Sequence, residues 1–128
     1  MVEMWEFRLV LGHLIGDYLL QSKAMALKKS EKGAKGFAWC TFHCLVYTAS
    51  VCLLLWTLNP WVMAIIFSSH WFIDRWSLTG KWLKLIRGRD LSDKSPLNLA
   101  FYPLVYATAD NTWHILLMWG GILALFAL

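Results

Sequence analysis

The sequence predicts an all-α polytopic membrane protein, a four-transmembrane-helix bundle with a polar His/Asp core. Three observations predict it. Hydrophobic residues make up 59% of the 128-residue chain and charged residues only 16%, against about 45–50% and about 25% in soluble domains. A body this small has too little interior to hide that much hydrocarbon, and the composition also excludes a disordered chain. Mean hydropathy of +0.50 and nine tryptophans agree, because tryptophan gathers where bilayer meets water. Finally, the apolar segments carry one histidine each, four in all, as a bundle with a polar centre requires.

The segments follow in order within a single domain, 1–128. The first runs from about 5 to 27 and the second from about 37 to 58, each close to the roughly 20 residues that cross about 30 Å of hydrocarbon. Asn59-Pro60 is a turn signal that stops the second helix. The third segment runs from about 61 to 83, and the fourth from 96 to 128. Ser95-Pro96 reads as an N-cap with proline in the first turn. The fourth segment is too long for one straight span, so a break or kink is expected near Pro103.

Net charge is +4 and the isoelectric point is near 9.1. The basic residues cluster instead of covering a face, which excludes nucleic acid as a partner. Lys28, Lys29, Lys32 and Lys35 fall between the first two segments, and Lys84, Arg87, Arg89 and Lys94 between the last two. By the positive-inside rule these loops are cytoplasmic and both termini lie outside. Trp5, Trp56 and Trp61 then mark the outer boundary, and Trp39 and Trp82 the inner one. The first loop reads as a solvated contact with anionic lipids. Cys40, Cys44 and Cys52 share one apolar segment, which is no disulfide framework. Cys40 and Cys44 read as small apolar residues before thiolate ligands. Gly120-Gly121 offers a close-contact face for a homo-oligomer.

The informative residues are those that do not belong in hydrocarbon. His13 pairs with Asp17, His70 with Asp74, and Asp110 with His114, each four residues apart and so on one helical face. His43 stands alone on the second segment. Burying Asp17, Asp74, Asp110 and Arg75 costs roughly 10 kcal/mol, at about 2.5–3.5 kcal/mol per ionised residue. Counting depth at about 1.5 Å per residue brings all seven His and Asp side chains to one zone in the cytoplasmic half of the bilayer. Such a zone suits a divalent metal, zinc first, with manganese or iron as other fits for imidazole and carboxylate ligands. The surplus of ligands implies one or two ions, or carboxylates that steady imidazole N–H groups. A metal-free polar network that fixes helix register is the plainer reading. Gln21 and Tyr47 lie one turn from these groups and read as supporting partners. Arg75 reads as a phosphate clamp or as an arginine snorkelling to headgroups. Ser68 and Ser69 precede His70 without a nucleophile elbow around them.

The ordered set His13-x3-Asp17-x3-Gln21, His43, His70-x3-Asp74 and Asp110-Asn111-x2-His114 resembles an uncharacterised family of small bacterial and phage four-helix membrane proteins. That family is similar in turn to inner-membrane proteins described as membrane-bound metal-dependent hydrolases. The resemblance covers essentially the whole chain and departs at Asn111, where the pattern has glutamine. It implies a bacterial inner (cytoplasmic) membrane location and a metal site.

The expected function is metal-dependent hydrolysis of a lipid-borne or amphiphilic ester, a phosphoester first. His13, His43, His70 and His114 bind metal in this reading, with Asp17, Asp74 and Asp110 as bridging ligands or general base, and Arg75 beside them. Two other classes stand against it. One is a proton- or metal-ion-conducting transporter with the His–Asp chain as relay. The other is an adaptor bundle whose polar core is purely structural. Metal retained through purification separates the first from the second, and tolerance of apolar replacements identifies the third.

Overall fold

The computed structural model describes residues 4–127, and among these the chain is all-helical. Helix α1 (Trp5–Leu14) runs into a π-helical turn, Ile15–Leu19; α2 is Lys23–Lys28, α3 Gly33–Leu55, α4 Pro60–Trp76, α5 Leu78–Arg87 and α6 Pro96–Ala127. The long helices form a ring in which α1 packs on α3, α3 on α4, α4 on α6 and α6 on α1. Neighbours run antiparallel: Gly12 lies against Val51 and Gly16 against Tyr47, His13 meets Asn111 and Glu6 meets Trp119, and Ile65 faces Gly121 while His70 faces His114.

Several expected boundaries shift, each for a local reason. The segment 5–27 is not one helix. The Leu20 N–H donates to the Ile15 carbonyl, five residues back, which widens the last turn. Ser22 then starts a new helix, its Oγ accepting from the Met25 N–H at 3.2 Å. The segment 61–83 breaks at Ser77, whose left-handed backbone (φ 49°) ends α4. The second expected helix, α3, ends at Leu55, where Trp56 takes a left-handed backbone (φ 54°), ahead of the Asn59-Pro60 turn expected to stop it; that turn starts α4 instead. Asn59 Oδ1 accepts from the N–H groups of Trp61 and Val62, and Pro60 takes the first helical position. Helix α6 continues through Pro103 without interruption. Leu128, the end of the fourth expected segment, lies outside the described residues.

These breaks bear on the four-span expectation. Among the described residues only α3 is long and apolar enough to cross a membrane by length and composition. Helix α4 stops at 17 residues, and α1 with its π turn is shorter. The interior divides into two zones. Leu9, Val51, Cys52, Val62, Ile66, Met118 and Ile122 form an apolar core toward the α3–α4 connection. Toward the opposite end, His13, His43, His70, Asp74 and His114 are all buried.

Gly12 and Gly16 set the approach of α1 to α3. A Cβ at Gly12 would lie 2.8 Å from Val51 Cα, and one at Gly16 would lie 2.6 Å from the Tyr47 ring. Small residues at this spacing let helix backbones come close, and here they flank His13 and Asp17. Gly121 plays the same part inside the chain, facing Ile65 across α4 and α6, while Gly120 faces open space. The Gly120-Gly121 pair is therefore half used within the molecule.

Candidate metal centre

His43 enters from α3, His70 and Asp74 from α4, and Asp17 from the π turn. Their ligand atoms crowd one point. His43 Nε2 lies 3.0 Å from His70 Nε2, 3.2 Å from Asp17 Oδ1 and 3.3 Å from Asp74 Oδ2. His70 Nε2 lies 3.2 Å from Asp17 Oδ1 and 3.2 Å from Asp74 Oδ2. The Gln21 amide comes to 3.0 Å from His43 Nε2 as well. A ring nitrogen makes one good hydrogen bond, yet His43 Nε2 has polar atoms of four residues around it. A tetrahedral cation with bonds of about 2.0–2.1 Å spaces its ligands about 3.3 Å apart. His43 Nε2, His70 Nε2 and Asp74 Oδ2, 3.0–3.3 Å apart, fit that spacing as three ligands of one ion. Asp17 Oδ1, among the buried polar atoms without a hydrogen-bond partner, lies 3.2 Å from both imidazole nitrogens.

The remaining three predicted ligands surround the first four. His114 donates from Nδ1 to the Asp110 carbonyl at 2.8 Å, and its Nε2 is buried without a partner, 3.5 Å from Asp74 Oδ1. Asp110 Oδ1 accepts from the Thr79 hydroxyl at 2.6 Å. His13 differs from the expectation of a free ligand. Its Nδ1 lies 2.8 Å from the Tyr47 hydroxyl and its Nε2 2.7 Å from Asn111 Oδ1. With Nε2–H donating to the amide oxygen, Nδ1 accepts from the phenol, so both nitrogens are engaged. Tyr47 also stacks on the His70 ring, centroids 3.7 Å apart. Tyr47, Asn111 and Gln21 thus stand where supporting partners were expected, and Asn111 donates further to Tyr18 Oη.

Arg75 is a correction. One residue beyond Asp74 on a helix points elsewhere, and the guanidinium donates to the backbone carbonyls of Glu31 at 2.8 Å and Gly33 at 3.4 Å. It pins the α2–α3 connection. Arg75→Ala is expected to leave metal affinity within about twofold of wild type, as surface substitutions usually do; chelator competition on the purified variant checks it. Ser68 and Ser69 donate back to backbone carbonyls of their own helix, and Cys40 and Cys44 are buried free thiols.

The cation the sequence reading missed is Lys29. Its Nζ lies 2.6 Å from Asp74 Oδ2, with the lysine side chain 18% exposed. Burial works against the ammonium, but Asp74 and Asp17 together more than offset it and hold the pKa above the ordinary lysine value. Lys29 also lines a cavity of about 280 Å³ together with Asp17, Gln21, Asp74, Asp110 and Asn111. This is the mouth of the cluster. Clustered lysines beside an apolar segment look like a lipid-facing loop, and nothing in their spacing marks one as turned inward. Thr79 was hidden for another reason: it falls five residues after Asp74, off the helical stripe until the Ser77 break resets the phase.

A family model described as protein of unknown function (DUF3307) matches residues 6–119. No curated protein and no solved structure matches the chain. The matched stretch takes in all seven clustered His and Asp residues and nearly the whole chain, and the chain therefore belongs to this family of unknown function, DUF3307.

Proposed function

We propose that this protein is a membrane-embedded, metal-dependent hydrolase acting on a lipid-borne or amphiphilic phosphoester. The carrying observation is the crowding of His43 Nε2, His70 Nε2 and Asp74 Oδ2 at 3.0–3.3 Å, with Asp17 Oδ1 3.2 Å from both imidazole nitrogens, zinc being the best match to that donor set. A divalent cation held there supplies Lewis acidity and brings the pKa of water toward about 7. The chain's own residues do the rest. Tyr47 and Asn111 fix the His13 ring, which stands 3.7 Å from Asp17 Oδ2. Asp17 and Asp110 line the cavity, so a proton released by attacking water has carboxylates within reach. Lys29 at the mouth is the cation that meets an anionic substrate.

A membrane setting is supported by side chains that water does not favour. Phe7, Leu19, Leu45, Leu53, Leu58 and Leu104 are each more than half exposed, and they come from several different helices. Apolar surface on this scale exceeds the isolated patches of a soluble monomer. Helix α5 sets Lys81, Lys84 and Arg87 beside exposed Leu85 and Ile86, which suits a helix lying in the headgroup plane. Broken helices are tolerated at membrane depth where they line a cavity, and both breaks, at 20–22 and at Ser77, border this one. The competing conductor is less well supported. The chain from Tyr18 through Asn111 and His13 to Tyr47 ends against Met118 Sδ at 3.7 Å, inside the apolar core, and so leads nowhere across the bundle.

Elemental analysis of detergent-purified protein beside His70→Ala tests the reading. Zinc, manganese or iron at stoichiometric level, lost in the variant, is the expected result and leads to a screen of phosphoesters. Background metal in both proteins would refute it.

A further inference from the structure

We infer a second cation site beside the first, built by His114, Asp110 and Asp17 and joined to it through Asp74. It rests on the metal reading above and extends it from one ion to a bridged pair. The four ligand atoms at the first point leave Asp74 Oδ1 unused, and that oxygen points the other way, 3.5 Å from His114 Nε2. The His114 ring is set for coordination. Its Nδ1–H is spent on the Asp110 carbonyl at 2.8 Å, which puts a lone pair on Nε2, the arrangement that metal-binding histidines adopt. That Nε2 is buried, on a residue 1% exposed, and has no hydrogen-bond partner. A lone pair facing a carboxylate oxygen is repulsive unless a cation, a metal ion or a proton, lies between them.

Asp110 and Asp17 complete the set. One ligand atom each from Asp17, Asp110 and His114 lies within 4.8 Å of the others, wide enough for an ion in the middle. Thr79 holds Asp110 Oδ1 at 2.6 Å, which orients the carboxylate, while Oδ2 stands 3.5 Å from the His114 ring. Asp17 and Asp110 both border the 280 Å³ cavity. Asp74 borders the same cavity, so both sites open toward the mouth. A carboxylate such as Asp74, with Oδ2 on one histidine pair and Oδ1 on another histidine, is shaped to span two ions about 3.5–4 Å apart. Such pairs clamp the oxygens of a phosphoester in an in-line displacement, which points to phosphoesters over carboxylic esters as the substrate class.

The test is metal stoichiometry on the full chain in detergent, stripped with chelator and reloaded with Zn²⁺ alone, together with electron paramagnetic resonance of the Mn²⁺-loaded protein. Two equivalents of zinc in the wild type, one in His114→Ala, and an exchange-coupled Mn²⁺ pair spectrum are expected. One equivalent in the wild type, with an uncoupled Mn²⁺ spectrum, overturns the second site and leaves the first standing; His114 then faces Asp74 through a proton. No zinc overturns both. Should His114→Ala lose all metal through misfolding, the wild-type count and the Mn²⁺ spectrum, which need no variant, decide the matter.

Discussion

Asp74→Asn is expected to reduce Zn²⁺ affinity at least about 100-fold, beyond the 10–100-fold typical of losing a group that merely supports a ligand. The two Asp74 oxygens face different parts of the centre. Its Oδ2 meets His43, His70 and Lys29, and its Oδ1 meets His114. The same change is expected to destabilise the metal-free protein by about 3 kcal/mol, the scale for stranding one member of a buried ion pair, because the Lys29 ammonium loses the carboxylate charge 2.6 Å away. Both effects are read on one preparation, by chelator competition and by thermal unfolding with and without zinc. Near-wild-type affinity in a folded Asp74→Asn protein would place the cation elsewhere. Restoring stability with Asp74→Asn/Lys29→Met, without restoring affinity, would separate the two roles.

The second large effect is expected from Gly16→Ala, a change of one methyl group. The new Cβ would fall 2.6 Å from the Tyr47 ring. That ring has no room to turn aside, since it stacks on His70 and holds His13 through its hydroxyl. Overpacking of this kind costs about 1–3 kcal/mol, and here it also separates α1 from α3, drawing Asp17 away from His43. Lower melting temperature and weaker zinc binding should appear together. Gly120→Ala is the control, because a Cβ there meets nothing. By helix propensity alone it should stabilise by up to about 1 kcal/mol. Opposite signs at the two glycines are the expected outcome, and equal signs would mean that the tight α1–α3 approach does not govern the site.

How much was legible beforehand depended on the kind of signal. Charged and imidazole groups at i, i+4 spacing inside apolar segments are visible in any helical reading, so His13, Asp17, His43, His70, Asp74, Asp110 and His114 stood out, and the structure gathers all seven. Gln21 and Tyr47 were within reach by the same spacing, and Asn111 through the family pattern. Arg75 was misplaced because its neighbour Asp74 is inward, and adjacent residues on a helix diverge. Lys29 and Thr79 had no periodic mark at all; each arrives through a break in a helix, and such breaks depend on one serine cap or one left-handed residue. Gly12 and Gly16 were passed over since a glycine announces nothing until the partner backbone is in view. Hydropathy runs likewise measure how apolar a stretch is, and are blind to the turn at 20–22 that interrupts it.

The π turn at Ile15–Leu19 has an implication for how this family is aligned. A π turn holds one residue more than an α turn of the same reach, so the position of Asp17 depends on chain length as well as on residue identity. A relative lacking a single residue in that stretch would keep every recognisable letter of the motif and close into an ordinary α-helix. Its aspartate would swing about 100° around the axis, out of the cluster. Gaps at this point, more than substitutions, would separate relatives able to hold the centre from relatives that only look as though they do.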